Sequence, residues 1–184
     1  MDSKINWEGK EFGWPNFSNE VFNKYNFSCA GLTWANFSNA KLRFAKFNKA
    51  RLENANFSNA RMNNTQLLGA NLYNVNLSDA ILYHANLSDA KLFKADLSRT
   101  NFFGACLSGV FLIKAFFLKT IFINAQLDEV TLHNTNLNDS DFTGANLSQA
   151  NLRNSNLSKC NLRNAKLTDA KLTNAIFFVE KDGE

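Results

Sequence analysis

Residues 75–99 read VNLSDAILYHANLSDAKLFKADLSR, five passes through one five-residue unit. A small residue opens each pass (Val75, Ala80, Ala85, Ala90, Ala95), and a leucine holds its third place (Leu77, Leu82, Leu87, Leu92, Leu97). Followed in both directions, the third place stays in register from Phe12 to Phe177. Its 34 consecutive positions hold 21 Leu, 12 Phe and Met62, and Trp7 lies one step earlier. The small position runs from Ala30 to Ala175, 30 sites of which 20 are Ala and the rest Thr, Val, Ser or Cys. The unit is A-(N/D)-L-x-x, cleanest in Ala85-Asn86-Leu87-Ser88-Asp89.

A period of five suits neither regular element. On a helix the stripe drifts by about 140° per unit and winds around the axis. On a continuous strand an odd spacing sends successive leucines to opposite faces. A corner in every unit removes both objections. The small residue and the Leu or Phe then point inward, as alternate residues of a short strand do, and the other three face out. Such a coil buries its centres only against its neighbours, so the chain is a solenoid. The serines that directly follow a centre, from Ser18 to Ser158, all carry numbers ending in eight. A ten-residue alternation survives vertical stacking only if each coil has an even number of sides, two or four.

Over residues 12–177 the unit resembles that of the pentapeptide-repeat proteins. The resemblance implies an all-β fold, a right-handed quadrilateral β-helix with four units per coil. That makes about 8.5 coils here, and a rod of roughly 40 Å at ~4.8 Å per rung. Residues 1–11 are then expected to cap the first coil, and 178–184 to form a short charged tail. Stacked Asn such as Asn16, Asn36, Asn56 and Asn76 are expected to form amide ladders. Trp14 and Trp34, one coil apart, are expected to stack outside.

Composition closes off most chemistry. The chain has 184 residues, 45% hydrophobic and 20% charged, with a net charge of +4 and a pI near 9.0. Two His and three Cys leave little for a metal site, and His84 and His133 fall on opposite faces. No glycine-rich phosphate loop occurs. Cys29 and Cys106 share a face but stand ~19 Å apart, beyond disulfide reach. Cys160 sits in an inward small-residue slot, and unpaired thiols suit a reducing cytoplasm. The apolar stretch from Val110 to Ile123 is broken by Lys114 and Lys119, too short and too charged to span a bilayer. No catalytic, cofactor or metal residue is expected, and no enzyme activity.

Function is sought where outward positions break the polar rule. With four sides, Tyr73, Phe93, Phe111 and Ile113 share one face, and Ile81, Tyr83, Phe103, Ile121 and Ile123 the opposite one. Phe116 and Leu118 lie on the face between. Residues 73–123 thus form an apolar band on three sides of the rod, as interfaces do. The bland role for the same side chains is stacking within their own ladders. Lys41, Arg43, Lys46, Lys49, Arg51 and Arg61 crowd the early coils, and Arg153, Lys159, Arg163, Lys166 and Lys171 the late ones. They wrap several faces without lining one groove, so nucleic acid is not the expected partner. The leading expectation is a non-enzymatic scaffold that binds a protein or a second copy of itself. The resemblance also implies a bacterial, often cyanobacterial, setting. It supplies one alternative, a DNA mimic that binds type II topoisomerases in quinolone protection. The positive balance and the lack of a C-terminal dimerisation element stand against that alternative.

Overall fold

The computed structural model describes residues 5–177. Every unit has the same local form. With one exception among the described residues, the residue before the centre makes a parallel bridge to the residue twenty positions on, as in Lys41 to Arg61 and Asn36 to Asn56. Twenty residues therefore complete a coil, which is four units. The two residues after the centre form a turn, and the second has positive φ at every such position from Gly9 to Asn174. The carbonyl of the centre accepts from the N–H three residues on, as in Ala45 to Leu42 at 3.0 Å. Together these features define a type II turn, whose second corner residue needs the left-handed region. Asn, Asp and Gly dominate there because they enter that region at least cost.

Short strands were expected, but each side of a coil holds only an isolated bridge among the described residues. The turn takes two of the five residues and leaves too little chain for more. The backbone is nonetheless well paired. Lys41 N–H donates to Glu20 of the coil below at 2.9 Å. Leu42 and Phe44 donate to Arg61 and Asn63 of the coil above at 2.8 and 3.0 Å. The remaining N–H, at the first turn residue, often finds the side chain two places back. Asn76 and Asn86 accept from Ser78 and Ser88 in this way, and each Ser hydroxyl returns a second bond to the same oxygen. Ser28 and Ser148 make the same clasp, so four of the ten alternating serines tie the turn to the preceding Asn.

The centres from Phe27 to Phe142 are almost fully buried, walled by the small residues. Where that wall is polar it is satisfied. Thr100, Thr120 and Ser140 occupy one column, and each hydroxyl donates to a carbonyl of the coil below, Leu77, Leu97 and Phe117. Cys160 continues the column with its thiol on the Leu137 carbonyl at 2.9 Å, and burial pushes that thiol up to about 11. Amide ladders form in part: Asn36 donates to Asn16, Asn56 to Asn36 and Asn74 to Asn54. Trp14 and Trp34, by contrast, make no ring–ring contact among the described residues. They flank a shallow apolar cleft and are 75% and 56% exposed.

Candidate interaction surface

The bridges sort outward residues onto four faces. Face 1 carries 81–84, 101–104 and 121–124, and face 2 carries 86–89, 106–109 and 126–129. Face 3 carries 71–74, 91–94 and 111–114, and face 4 carries 96–99 and 116–119. The candidate residues then divide by environment. Ile81, Tyr83, Phe93, Ile113, Ile121 and Ile123 are half-buried. Tyr73 stacks on Phe93 with ring centroids 5.7 Å apart, and Tyr83 meets Phe103 edge-on at 6.1 Å. For these the ladder role is real, because each ring has a partner one coil away.

Phe111, Phe116 and Leu118 behave differently. They are 49%, 63% and 50% exposed, and all belong to one coil. Phe116 lies in a bridge column between Asp96 below and Asn136 above, so no apolar rung covers it. The apolar band therefore has a centre on faces 3 and 4, with ladder-stacked flanks.

The same coil holds the one interruption of the bridge series among the described residues. Below it the ladder is closed: Phe116 N–H reaches Ala95, and Leu97 and Arg99 donate to Phe116 and Leu118. Above it the bridge from Phe116 to Asn136 is missing. The N–H groups of Lys114, Phe117, Lys119 and Asn136 have no backbone partner there, and the Ala115 carbonyl is left without its usual donor. Bonds beneath are already long, 3.3 Å from Phe111 to Ala90 and 3.2 Å from Lys94 to Ile113. On the upper lip the buried His133 Nδ1 has no hydrogen-bond partner.

Charge is also sorted, more sharply than the linear order suggests. The cations named from the sequence do reach all four faces, with Lys46, Lys49 and Lys166 on face 2 and Lys159 on face 4, but the net positive charge concentrates on two opposite faces. Face 1 takes Lys24, Lys41, Arg43, Arg61 and Arg163. Face 3 takes Arg51, Lys91, Lys94, Lys114, Arg153 and Lys171, and its two carboxylates among the described residues, Glu11 and Glu53, both lie in the early coils. Face 2 gathers Asp89, Asp128, Glu129 and Asp169. Arg51 pairs with Glu11 across two coils, over Gly31. A Cβ on Gly31 would collide with both partners, so the missing side chain makes the pair possible. On face 4 Arg99 grips Asp79 with two bonds of 2.7 Å and holds its carboxyl below the usual range.

Little else is reactive. Among the described residues no three His, Cys, Asp or Glu side chains converge, and His84 and His133 stand on opposite faces. Burial raises the Cys106 thiol, yet hydrogen bonds with Ser88 and Ser108 outweigh it and hold the thiol below its ordinary value. No base adjoins it. No helix in the described residues is long and apolar enough to cross a membrane.

A family model for pentapeptide repeats matches in 8 copies, over residues 35–72, 70–109, 100–139 and 140–177. No curated protein sequence matches. Among solved structures, a trypsin-treated variant of QnrB1, a plasmid-mediated fluoroquinolone resistance protein, superposes with a TM-score of 0.67 at 16% identity. That match covers 95% of this chain and 91% of the other. Full-length QnrB1 gives 0.55 at 15% identity over the same shares. HetL, a pentapeptide-repeat protein of heterocyst differentiation regulation in the cyanobacterium Nostoc, is 28% identical over 98% of this chain and 91% of its own, with a TM-score of 0.37.

Proposed function

Because the chain belongs to the pentapeptide-repeat family, we propose that it is a rigid, non-enzymatic scaffold for protein–protein contact, working through the apolar band at residues 73–123. In this reading residues 12–177 form a right-handed quadrilateral β-helix of about 8.5 coils, spaced as stacked strands are. The cap expected at 1–11 falls in part on residues 1–4, which like the tail at 178–184 lie outside the described residues, while Asn6 and Gly9 already follow the bridge and turn of the repeat. We place it in a bacterial cytoplasm, where its free thiols stay reduced.

The observation that carries the proposal is the coil 111–119, where Phe111, Phe116 and Leu118 stand exposed together. Burying each such side chain is worth roughly 1.5–3 kcal/mol, a driving force that solvent exposure leaves unused. Stacking within the rod does not account for them, since Phe116 has no apolar neighbour one coil above or below. Replacing them together (Phe111→Asp, Phe116→Asp, Leu118→Asp) is expected to abolish self-association or strip a co-purifying protein. The measurement is light scattering with native purification. A triple variant that keeps the wild-type oligomeric state and every bound protein ends the proposal.

The topoisomerase reading draws on the fold shared with QnrB1. A DNA mimic needs a negative surface, and two of the four faces here are basic. A gyrase supercoiling assay is expected to show neither inhibition nor protection from quinolones.

A further inference from the structure

Face 3 combines three features that occur together nowhere else on the rod. Tyr73, Phe93 and Phe111 make it apolar. Lys91, Lys94 and Lys114 frame those rings, are exposed, and form no ion pair among the described residues. From Asn71 to Asn174 the face has no carboxylate, Glu11 and Glu53 lying in earlier coils, and its positive charge continues through Arg153 to Lys171. The rungs from Tyr73 to Lys171 cover roughly 24 Å, the reach of about seven extended residues. At the edge of this strip lies the interrupted ladder, where the Phe117 N–H and the Ala115 carbonyl are set as the two contacts of one parallel bridge.

We propose that face 3 binds an acidic, extended segment of a partner protein, whose carboxylates meet Lys91, Lys94 and Lys114 and whose apolar side chains lie against Phe111 and, on the adjoining face 4, Phe116. The inference rests on the scaffold reading above and names its partner class. Charge decides the occupant: a strip with uncompensated lysines on an apolar floor favours carboxylates and repels a basic partner. The length of the strip supports the extended form, since about seven extended residues run its roughly 24 Å. Single-stranded nucleic acid fits less well, because it needs free aromatic faces for its bases. Here Tyr73 and Phe93 lie at an interplanar angle of 13°, with Lys94 5.6 Å from the Tyr73 centroid and Lys114 5.8 Å from that of Phe93. The faces of those two rings are taken, and Phe111 and Phe116 stand on different faces of the rod, so they offer no continuous stack for successive bases.

The test uses the full chain and a labelled twelve-residue peptide with two Glu for each Leu or Phe, read by fluorescence anisotropy. Two control peptides replace every Glu by Lys, or every Leu and Phe by Ser. Only the acidic apolar peptide is expected to bind, about tenfold more weakly once salt is raised well past the point where the Debye length shrinks below ~8 Å. Reversing the lysines (Lys91→Glu, Lys94→Glu, Lys114→Glu) is expected to weaken it by at least about tenfold. The same charge change on face 1 (Lys41→Glu, Arg43→Glu, Arg61→Glu) is expected to change binding by less than about twofold, as a distant rim does. Equal binding of acidic and basic peptides, equal loss in both variants, or no binding at all overturns the inference. So does a face-3 variant that loses phosphatidylserine vesicles or oligo-dT while the wild type ignores the acidic peptide. If the Phe111, Phe116 and Leu118 variant still loses its natural partner when the acidic peptide fails, the scaffold reading survives and only the partner class falls.

Discussion

In the early coils the phenylalanines point inward except Phe44, which is 46% exposed. Phe27 and Phe47 lie parallel at 4.8 Å, Phe37 and Phe57 at 4.9 Å, and the two stacks meet edge-on at interplanar angles of 83–87°. Phe27 and Phe37 are each repeated twenty residues on, and the ladder there is unbroken. In the coil 111–119 the same residue type occupies three roles. Phe117 is in the core, 2% exposed, while Phe111 and Phe116 stand outside. None of the three is repeated one coil up, where Thr131, Asn136 and Leu137 stand. An aromatic residue holds this fold together where its counterpart at twenty residues matches it, inside or out, as Tyr73 and Phe93 do. Without that counterpart it is an exposed surface or a wedge.

The strongest way to break this comparison is to truncate one ring from each region. Phe57→Ala is expected to cost about 3–5 kcal/mol, while Phe116→Ser stays within about 0.5 kcal/mol. Denaturant unfolding followed by circular dichroism reads both, and equal losses would erase the distinction. Ala90→Leu comes next, at about 1–3 kcal/mol, because Ala90 is fully buried in the small wall where a longer side chain has no room. A normal midpoint for that variant would show that the cross-section is wider than drawn.

The smallest effect sharpens the account of the interrupted ladder. We attribute the opening to Phe117, a lone ring in its column between Leu97 and Leu137. Phe117→Leu is then expected to close the bridge to Asn136 and to change stability by less than about 1.5 kcal/mol, in the stabilising direction. Slower amide exchange at Asn136 and Lys119 is the readout. Unchanged exchange would remove the wedge as its cause.

Much of the fold was legible because it is periodic. A single repeat with inward small and large positions already excludes helix and continuous strand, and the spacing of Leu and Phe names nearly every core residue. Parts of the surface were not legible. Trp14 and Trp34 occupy stacking register yet leave a cleft, since register brings side chains near without dictating their rotamers. The eleven candidate residues looked alike in sequence, but whether each is half-buried in a ladder or exposed depends on what lies twenty residues away on both sides. The serine alternation was visible, while the clasp that some of these serines make onto the preceding Asn needed hydrogen-bond geometry.

What the amino-acid order alone determined is the coil: which residues point inward, where each corner falls, and that no helix intervenes. These follow from local sterics and a hydrophobic period that repeats without error. What only the tertiary structure decided is the pairing between coils. It gathered scattered lysines into a basic face, joined Glu11 to Arg51 over the gap left by Gly31, and opened the ladder above Phe116. Those outcomes depend on the sizes and charges of residues twenty and forty positions apart, which meet only after the chain has coiled.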